Sequence, residues 1–344
     1  MRKVIHLIPY DGIGGVERAA NSMGKVVCDD INFSVRLIFP SEAKTNRLVI
    51  WNPWYYLKAV AVLWHNKPDV LVVSLWRSYF VGILLKLIRP SIQLVVFLHF
   101  PKHVHGVDRI LTVLSACMAT KIWADSQTTL FNRLPSFLTS KGRVLSFVTE
   151  HIAPVINHAV ASPVFIFWGR IHAQKRLARA LGIFAAVHAV KPSARFLIIG
   201  PDGGDLASIN EIVDKLELDK SVDFFGPMNF FDIRQVASGA SFYLQTSELE
   251  GMAMSVVEAM QLGLVPVVTP VGEIAHYARS GENAVVISDD LTAVSEVLRL
   301  LDEEAQYQMM RENAITTWLN KPLYKEDVLQ ASQDILKLKN YEQS

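Results

Sequence analysis

Cysteine is nearly absent from this chain. Its 344 residues hold two, Cys28 and Cys117, far apart and in no metal-ligand spacing, which leaves no basis for a disulfide scaffold or a zinc site. They read as reduced, buried thiols of a cytoplasmic protein. Charge is also sparse: charged residues make up 19% and hydrophobic residues 51%, near the apolar limit for a globular protein. Yet no stretch reaches the roughly 18 uncharged apolar residues of a membrane span. The N-terminal run Val4–Ile8 is stopped by Pro9 and is too short for a signal-peptide core. No solenoid-length repeat and no low-complexity tract occurs. The absence of G-x-G-x-x-G argues against a dinucleotide oxidoreductase.

The charge that is present is unevenly placed. Residues 1–160 carry 18 Lys/Arg and 9 Asp/Glu, a net of +9, whereas the remainder has 34 − 18 = 16 basic and 33 − 9 = 24 acidic residues, a net of −8. The two halves therefore face different partners, unless this is ordinary scatter of surface charge. A basic, apolar-rich half suits an anionic membrane or a phosphate-bearing acceptor. The segments 54–67 and 76–89 interleave aromatic, aliphatic and basic residues; they read either as peripheral membrane helices or as buried helices of the fold. Nothing points to nucleic acid.

Short β-branched runs alternate with helical segments along the whole chain. In the first half, strands are expected over 3–9, 33–40, 69–76 and 92–100, and helices over 17–27, 55–64 and 78–88. The strands are continuously apolar, the pattern of a parallel sheet covered on both faces. The second half repeats the plan, which predicts two doubly wound α/β units in tandem. The join falls in 151–163, flanked by Pro154 and Pro163. Domains are accordingly expected at 1–160 and 161–315, with 316–344 as a C-terminal segment. The stretch 291–319 reads as one long helix, and Pro322 should break it before a last helix.

Ligands of open α/β sheets bind beyond the carboxyl ends of strands, so chemistry is sought there. After the first strand come Gly12, Gly14 and Gly15, a tight turn or a close backbone approach to an anion. After the strand ending near residue 98 come His99, His103 and His105. Their spacing is a poor metal set, with no carboxylate close by. His99 is placed to face a ligand, while His103 and His105 read as solvated loop residues. After the run 163–169 come Arg170 and Lys175, two cations able to neutralise a diphosphate. After the run 241–245 come Glu250 and Gly251, then a helix starting near Ala253 with Glu258 further along. Eight residues of helical rise would set the two carboxylates about 12 Å apart, the span from a sugar across two phosphates to a ribose. The plain alternative is a strand-end cap and a surface glutamate.

The segment Ser247–Glu273 resembles the glutamate-x7-glutamate segment of retaining glycosyltransferases of family 4. Gly169–Lys175 is similar to their G-R-x4-K segment, and Gly12–Glu17 to their glycine loop. The order and separation of the three agree over essentially the whole chain. The resemblance implies the GT-B architecture, two Rossmann-like doubly wound parallel-sheet domains facing a cleft. It also implies transfer of a sugar from a nucleotide-diphosphate sugar such as a UDP- or GDP-sugar to a glycan or lipid-linked acceptor, in cell-envelope polysaccharide assembly (O-antigen, lipopolysaccharide, capsule or exopolysaccharide). Arg170 and Lys175 would bind the diphosphate and Glu258 the ribose. Glu250 and His99 would sit at the transferred sugar. Gly251, Met252, Ala253 and Met254 would offer backbone N–H groups, and Gly14 and Gly15 would close over the phosphates. The last helix would cross back to the N-terminal domain. No D-x-D occurs, so metal-independent transfer without a cofactor is expected, at the inner face of the cytoplasmic membrane. The chain departs from the family pattern at Met252, where Phe is usual, and at His276 and Ala284, near the donor-sugar pocket. A GT-B-like nucleotide-binding protein with an inactive site, or an epimerase of the same architecture, is the alternative.

Overall fold

A computed structural model describes residues 1–11, 15–28, 30–40, 47–154 and 161–341. The chain divides into two compact units, residues Met1–Glu150 with the segment from Pro322 onward, and His151–Lys321. The first boundary lies at 150/151 rather than 160/161, because the Ile152 N–H already donates to Gln261 Oε1 inside the second unit (3.0 Å). The return lies at Pro322 rather than 316, because the helix before it stays with the second unit as far as Leu319. The Tyr324 N–H then donates to Val148 O in the first unit (2.7 Å).

The first unit runs β1 (Arg2–Ile8), α1 (Gly15–Met23), β2 (Lys25–Cys28), β3 (Ile31–Leu37), α2 (Arg47–Trp51), α3 (Pro53–Asn66) and β4 (Val70–Ser74), then α4 (Trp76–Ile88), β5 (Gln93–Leu98), α5 (Gly106–Met118), β6 (Lys121–Ala124), α6 (Gln127–Arg133), α7 (Ser136–Thr139) and β7 (Gly142–Val144). Its seven strands lie in the order β2-β3-β1-β4-β5-β6-β7. Every residue of β4 is buried, and so is all of β5 after Gln93, which is why these strands show no alternation. One expectation fails here. The helix predicted over 17–27 stops at Met23. Gly24, at φ +53°, turns the chain, and Lys25–Cys28 pairs antiparallel with β3. The two valines that seemed to extend the helix are β-branched and suit a strand better. The cysteines differ too: Cys28 is half-buried and Cys117 exposed.

The second unit runs β8 (Val164–Trp168), α8 (Leu177–Val190), β9 (Arg195–Ile199), α9 (Leu206–Lys215), β10 (Val222–Gly226), α10 (Phe230–Ala237) and β11 (Phe242–Gln245), then α11 (Met254–Leu262), β12 (Val265–Val268), α12 (Ile274–Tyr277), β13 (Val285–Val286), α13 (Asp290–Asp302) and α14 (Glu304–Leu319). Its six parallel strands lie in the order β10-β9-β8-β11-β12-β13. The single long helix expected over 291–319 is two. Glu303 leaves helical dihedrals (φ −112°, ψ 82°) between α13 and α14, and the break lets Tyr307 and Met310 reach the core. The last helix, α15 (Tyr324–Tyr341), packs on α1 and β4 in the first unit. Arg143 at β7 donates to Asp327 Oδ1 (2.7 Å) and Asp334 Oδ2 (2.8 Å) of that helix.

In both sheets the chain leaves one strand, builds outward on one side, and returns to the other side. The reversal falls between β1 and β4 in the first unit and between β8 and β11 in the second. Open α/β sheets leave a crevice beyond the strand ends at such points.

Candidate active site

The loops after β8 and β11 flank the reversal of the second sheet and are laced together. The Glu248 N–H donates to Gln174 O (2.9 Å), Gln174 Nε2 to Leu249 O (2.5 Å), and the Thr246 hydroxyl to Arg176 O (2.7 Å). This lacing brings Lys175 to Glu250, Nζ donating to Oε1 at 2.7 Å. Gln245, the last residue of β11, donates Nε2 to the same oxygen (3.2 Å). Its own Oε1 takes the Ser255 hydroxyl (3.0 Å) and lies 2.9 Å from the Tyr243 hydroxyl. Burial holds the Tyr243 hydroxyl well above its usual pKa, with Glu250 and Glu258 adding to the shift, so it stays a proton donor. The Glu250 carboxylate is thus aimed by a cation and by an amide that two hydroxyls orient. A half-buried ion pair contributes little net stability; its effect is orientation.

Glu258 stands one turn into α11, buried, with Oε2 accepting from the Trp168 indole N–H at 2.9 Å. Trp168 is the last residue of β8. Because α11 begins at Met254, only four residues of rise, about 6 Å, separate its start from Glu258. Glu250 lies outside the helix, so the helical span of about 12 Å between the carboxylates does not describe the structure.

The start of α11 is held from behind. Gly251 O accepts the Glu273 N–H (3.0 Å) and Met252 O the Tyr277 hydroxyl (3.1 Å). Gly272, at φ +59°, lies so close that a Cβ would fall 2.2 Å from Glu250 O. Ala253 takes the left-handed conformation (φ 57°), and no side chain caps the helix. Among the described residues the Met254 and Ser255 N–H groups have no acceptor, whereas the Val256 N–H already donates to Ala253 O (2.9 Å); these two are left for a ligand, with the positive end of the helix dipole behind them.

Arg170 is exposed and has no hydrogen-bond or ion-pair partner among the described residues. It is not drawn into the Lys175–Glu250 cluster. Its stem rests on Gly203, where a Cβ would fall 2.6 Å from Arg170 Cγ, and the Gly203 N–H donates to Ile171 O (2.7 Å). Below it the turns after β8 and β9 touch backbone to backbone: a Cβ on Gly200 would lie 1.8 Å from Gly169 O.

In the first unit His6 from β1, Ser74 from the end of β4 and His99 just beyond β5 form a buried row. Ser74 Oγ lies 2.7 Å from His6 Nε2 and 2.9 Å from His99 Nε2. A hydroxyl has one proton, so one imidazole donates and the other accepts. His99 Nδ1 is buried without a hydrogen bond, 4.0 Å from Asp125 Oδ2. That carboxylate favours the proton on Nδ1, which makes His99 Nε2 the acceptor and His6 Nε2 the donor. Both rings are neutral. Burial lowers the His6 pKa to about 3 and that of His99 well below its ordinary value, with His6 and Arg133 adding to the latter.

His103 and His105 are more than solvated loop residues. His103 Nδ1 lies 3.8 Å from Asp108, and His105 Nδ1 caps α5 by accepting the Asp108 N–H (3.1 Å). Asp108 in turn pairs with buried Arg133 (2.9 Å), whose Nη1 donates to Lys102 O. Gly15 is the exposed first residue of α1; Gly12 and Gly14 lie outside the described residues. Sequence reasoning missed Trp168, Gln245, His6 and Ser74. Three of them end strands, where the crevice rule already pointed; His6 had no such signal.

Residues 148–317 match the family model described as glycosyl transferases group 1. This part of the chain is similar to group 1 glycosyltransferases, and the whole has the GT-B fold. Over 139 residues the chain is 28% identical to the uncharacterized glycosyltransferase YqgM of Bacillus subtilis, covering 40% of this chain and 38% of YqgM. Over 142 residues it is 25% identical to N-acetyl-alpha-D-glucosaminyl L-malate synthase of Bacillus anthracis, covering 41% and 36%. The matches thus span less than two fifths of these curated relatives. The crystal structure of Anabaena HepE in complex with UDP and glucose superposes with a TM-score of 0.80, at 15% identity, over 98% of this chain and 100% of HepE. HepE has also been solved with UDP-glucose. No helix among the described residues is long and apolar enough to cross a membrane.

Proposed function

We propose that this protein is a retaining glycosyltransferase of family 4 type. It moves a sugar from a nucleotide-diphosphate sugar to a glycan or lipid-linked acceptor in cell-envelope polysaccharide assembly. The observation that carries the reading is the Lys175–Glu250–Gln245 cluster at the sheet reversal, beside the uncapped start of α11. A UDP-sugar is the first donor to test, because the HepE structures contain UDP and UDP-glucose.

In this reading the diphosphate lies across the start of α11. Lys175 keeps ammonium protons beyond the one that Glu250 accepts, and Arg170 has no partner among the described residues. As the bond from the anomeric carbon to the phosphate oxygen breaks, its electron pair moves onto the leaving diphosphate. The two cations and the helix N-terminus stabilise that charge, without a metal. The acceptor oxygen bonds to the anomeric carbon on the face the diphosphate leaves, and its proton passes to a diphosphate oxygen. Glu250 positions the sugar rather than attacking it. Glu258, fixed by Trp168, takes the ribose hydroxyls.

Calorimetry with UDP, GDP, ADP and CMP tests the donor class. One diphosphate should bind tightly and lose about 10- to 100-fold in affinity in Glu258→Ala, the loss of hydrogen bonds to a charged group. Proton NMR of the product should show the donor's anomeric configuration, and activity should survive EDTA. Binding without transfer to any acceptor would favour the inactive-site alternative.

A further inference from the structure

The first unit holds a groove that none of the donor-site residues named above lines. It encloses about 550 Å³ between the end of β3 and α3, a size typical of ligand sites. Leu37, Tyr55, Ala59 and Val62 give it accessible apolar walls over the buried Phe39 and Leu63, and Arg36 and Lys58 add two cations. Both cations are exposed and lack a hydrogen-bond or ion-pair partner among the described residues. Among the described residues no carboxylate lines the groove. Apolar walls beside unneutralised positive charge fit an amphiphile: a hydrocarbon chain inside and an anionic head between Arg36 and Lys58.

The surroundings say where such a ligand would come from. Outside the groove α3 exposes Trp54, Leu57 and Trp64, and Trp51 stands 67% exposed just before it. Trp51 is held in place by the Arg77 guanidinium, 4.8 Å from its ring centre. On and just beyond α3, Lys58 and Lys67 are exposed, while the nearby carboxylate, Asp69, is half-buried and paired with Arg2 (3.2 Å). Exposed indoles among basic residues suit the headgroup level of an anionic bilayer. An acidic protein partner would leave the hydrocarbon-lined interior of the groove unexplained.

We infer that this groove seats one anionic bilayer lipid, its phosphate between Arg36 and Lys58 and its chain against Tyr55, Ala59 and Val62, while the tryptophan face of α3 lies on the membrane. The inference needs no sugar donor, so it stands or falls apart from the glycosyltransferase reading.

The test uses the full chain and lysophosphatidylglycerol below its micelle concentration, read by tryptophan fluorescence, with flotation on phosphatidylglycerol vesicles alongside. Saturable binding is expected. Arg36→Gln and Lys58→Gln, both surface changes, should each weaken it about five-fold. Ala59→Phe, which fills the groove, should abolish it with an unchanged urea midpoint. Any of four results would overturn the inference: equal affinity in both charge variants, equal binding of zwitterionic lysophosphatidylcholine, displacement by inorganic phosphate at matching concentration, or a dimer dispersed by Trp54→Ser with no lipid bound. The third would reassign the site to free phosphate and the fourth to a second copy of the chain.

Discussion

At the scale of single residues, the proposed site depends on few groups with separable roles. Lys175→Ala removes the cation that aims Glu250 and that would meet the diphosphate, and kcat should fall about 100- to 1,000-fold, the usual cost of one preorganised charge-stabilising donor. Gln245→Leu leaves both charges and removes only the amide that orients Glu250. It should lower kcat more than it raises KM, which steady-state kinetics of the two variants would separate. Part of this was legible: Lys175, Glu250 and Glu258 were picked out by position after strands and by resemblance. Their partners were not. Trp168, ending an apolar strand, carries no mark of the glutamate it will touch 90 positions away, and Gln245 none of the carboxylate it will orient. The buried imidazoles give a pH prediction. In the folded protein His6 binds its proton only near pH 3, and His99 also well below its ordinary range. In the unfolded chain both titrate near 6.5. Between these values the unfolded state holds more protons, so stability is full above about pH 6.5 and is lost as pH falls below it, by about 1.4 kcal/mol per pH unit for each ring. Urea unfolding of the wild type against His6→Phe from pH 7 to pH 5 should show a shallower slope in the variant.

At the scale of elements, strands and helices were mostly readable, because continuous apolar runs and helical periodicity report burial directly. The misreadings sit where tertiary pairing competes with local preference. Val26 and Val27 joined a strand once β3 lay beside them, and Glu303 divided a helical run so that both halves could bury a face. The turns are where glycine is required. Gly272 combines a positive φ with a backbone contact that leaves no room for a Cβ. Gly272→Ala should cost about 2–4 kcal/mol and displace the start of α11, weakening nucleotide binding as well. Gly239→Ala, with open space around its Cβ position, should change neither in the same thermal and calorimetric measurements.

At the scale of the whole molecule, the first unit is completed by the last stretch of chain. Tyr324, Val328, Ala331 and Ile335 of α15 are buried in it, Tyr324 stacks on Phe97 at 6.2 Å between ring centres, and Arg143 is held by Asp327 and Asp334. Ending the chain at Lys321 should therefore destabilise the first unit by several kcal/mol, at about 1.5–3 kcal/mol for each large apolar side chain uncovered. Hydrogen exchange resolved by segment should show faster opening in β1, β4 and β5, with protection of β8 and β11 unchanged.

By itself the sequence determined the alternation of elements, the division into two α/β units, and the loops in which chemistry should lie. Those features follow from hydrophobic pattern and from the chemistry of glycine, proline and isolated charges, which are local. Only the tertiary structure decided that Lys175 meets Glu250, that Glu258 is fixed by Trp168, that His6 and His99 share Ser74, and that Arg36 and Lys58 stand together at an apolar groove. Such relations depend on strand order and register, and those are settled by packing between residues far apart in the chain.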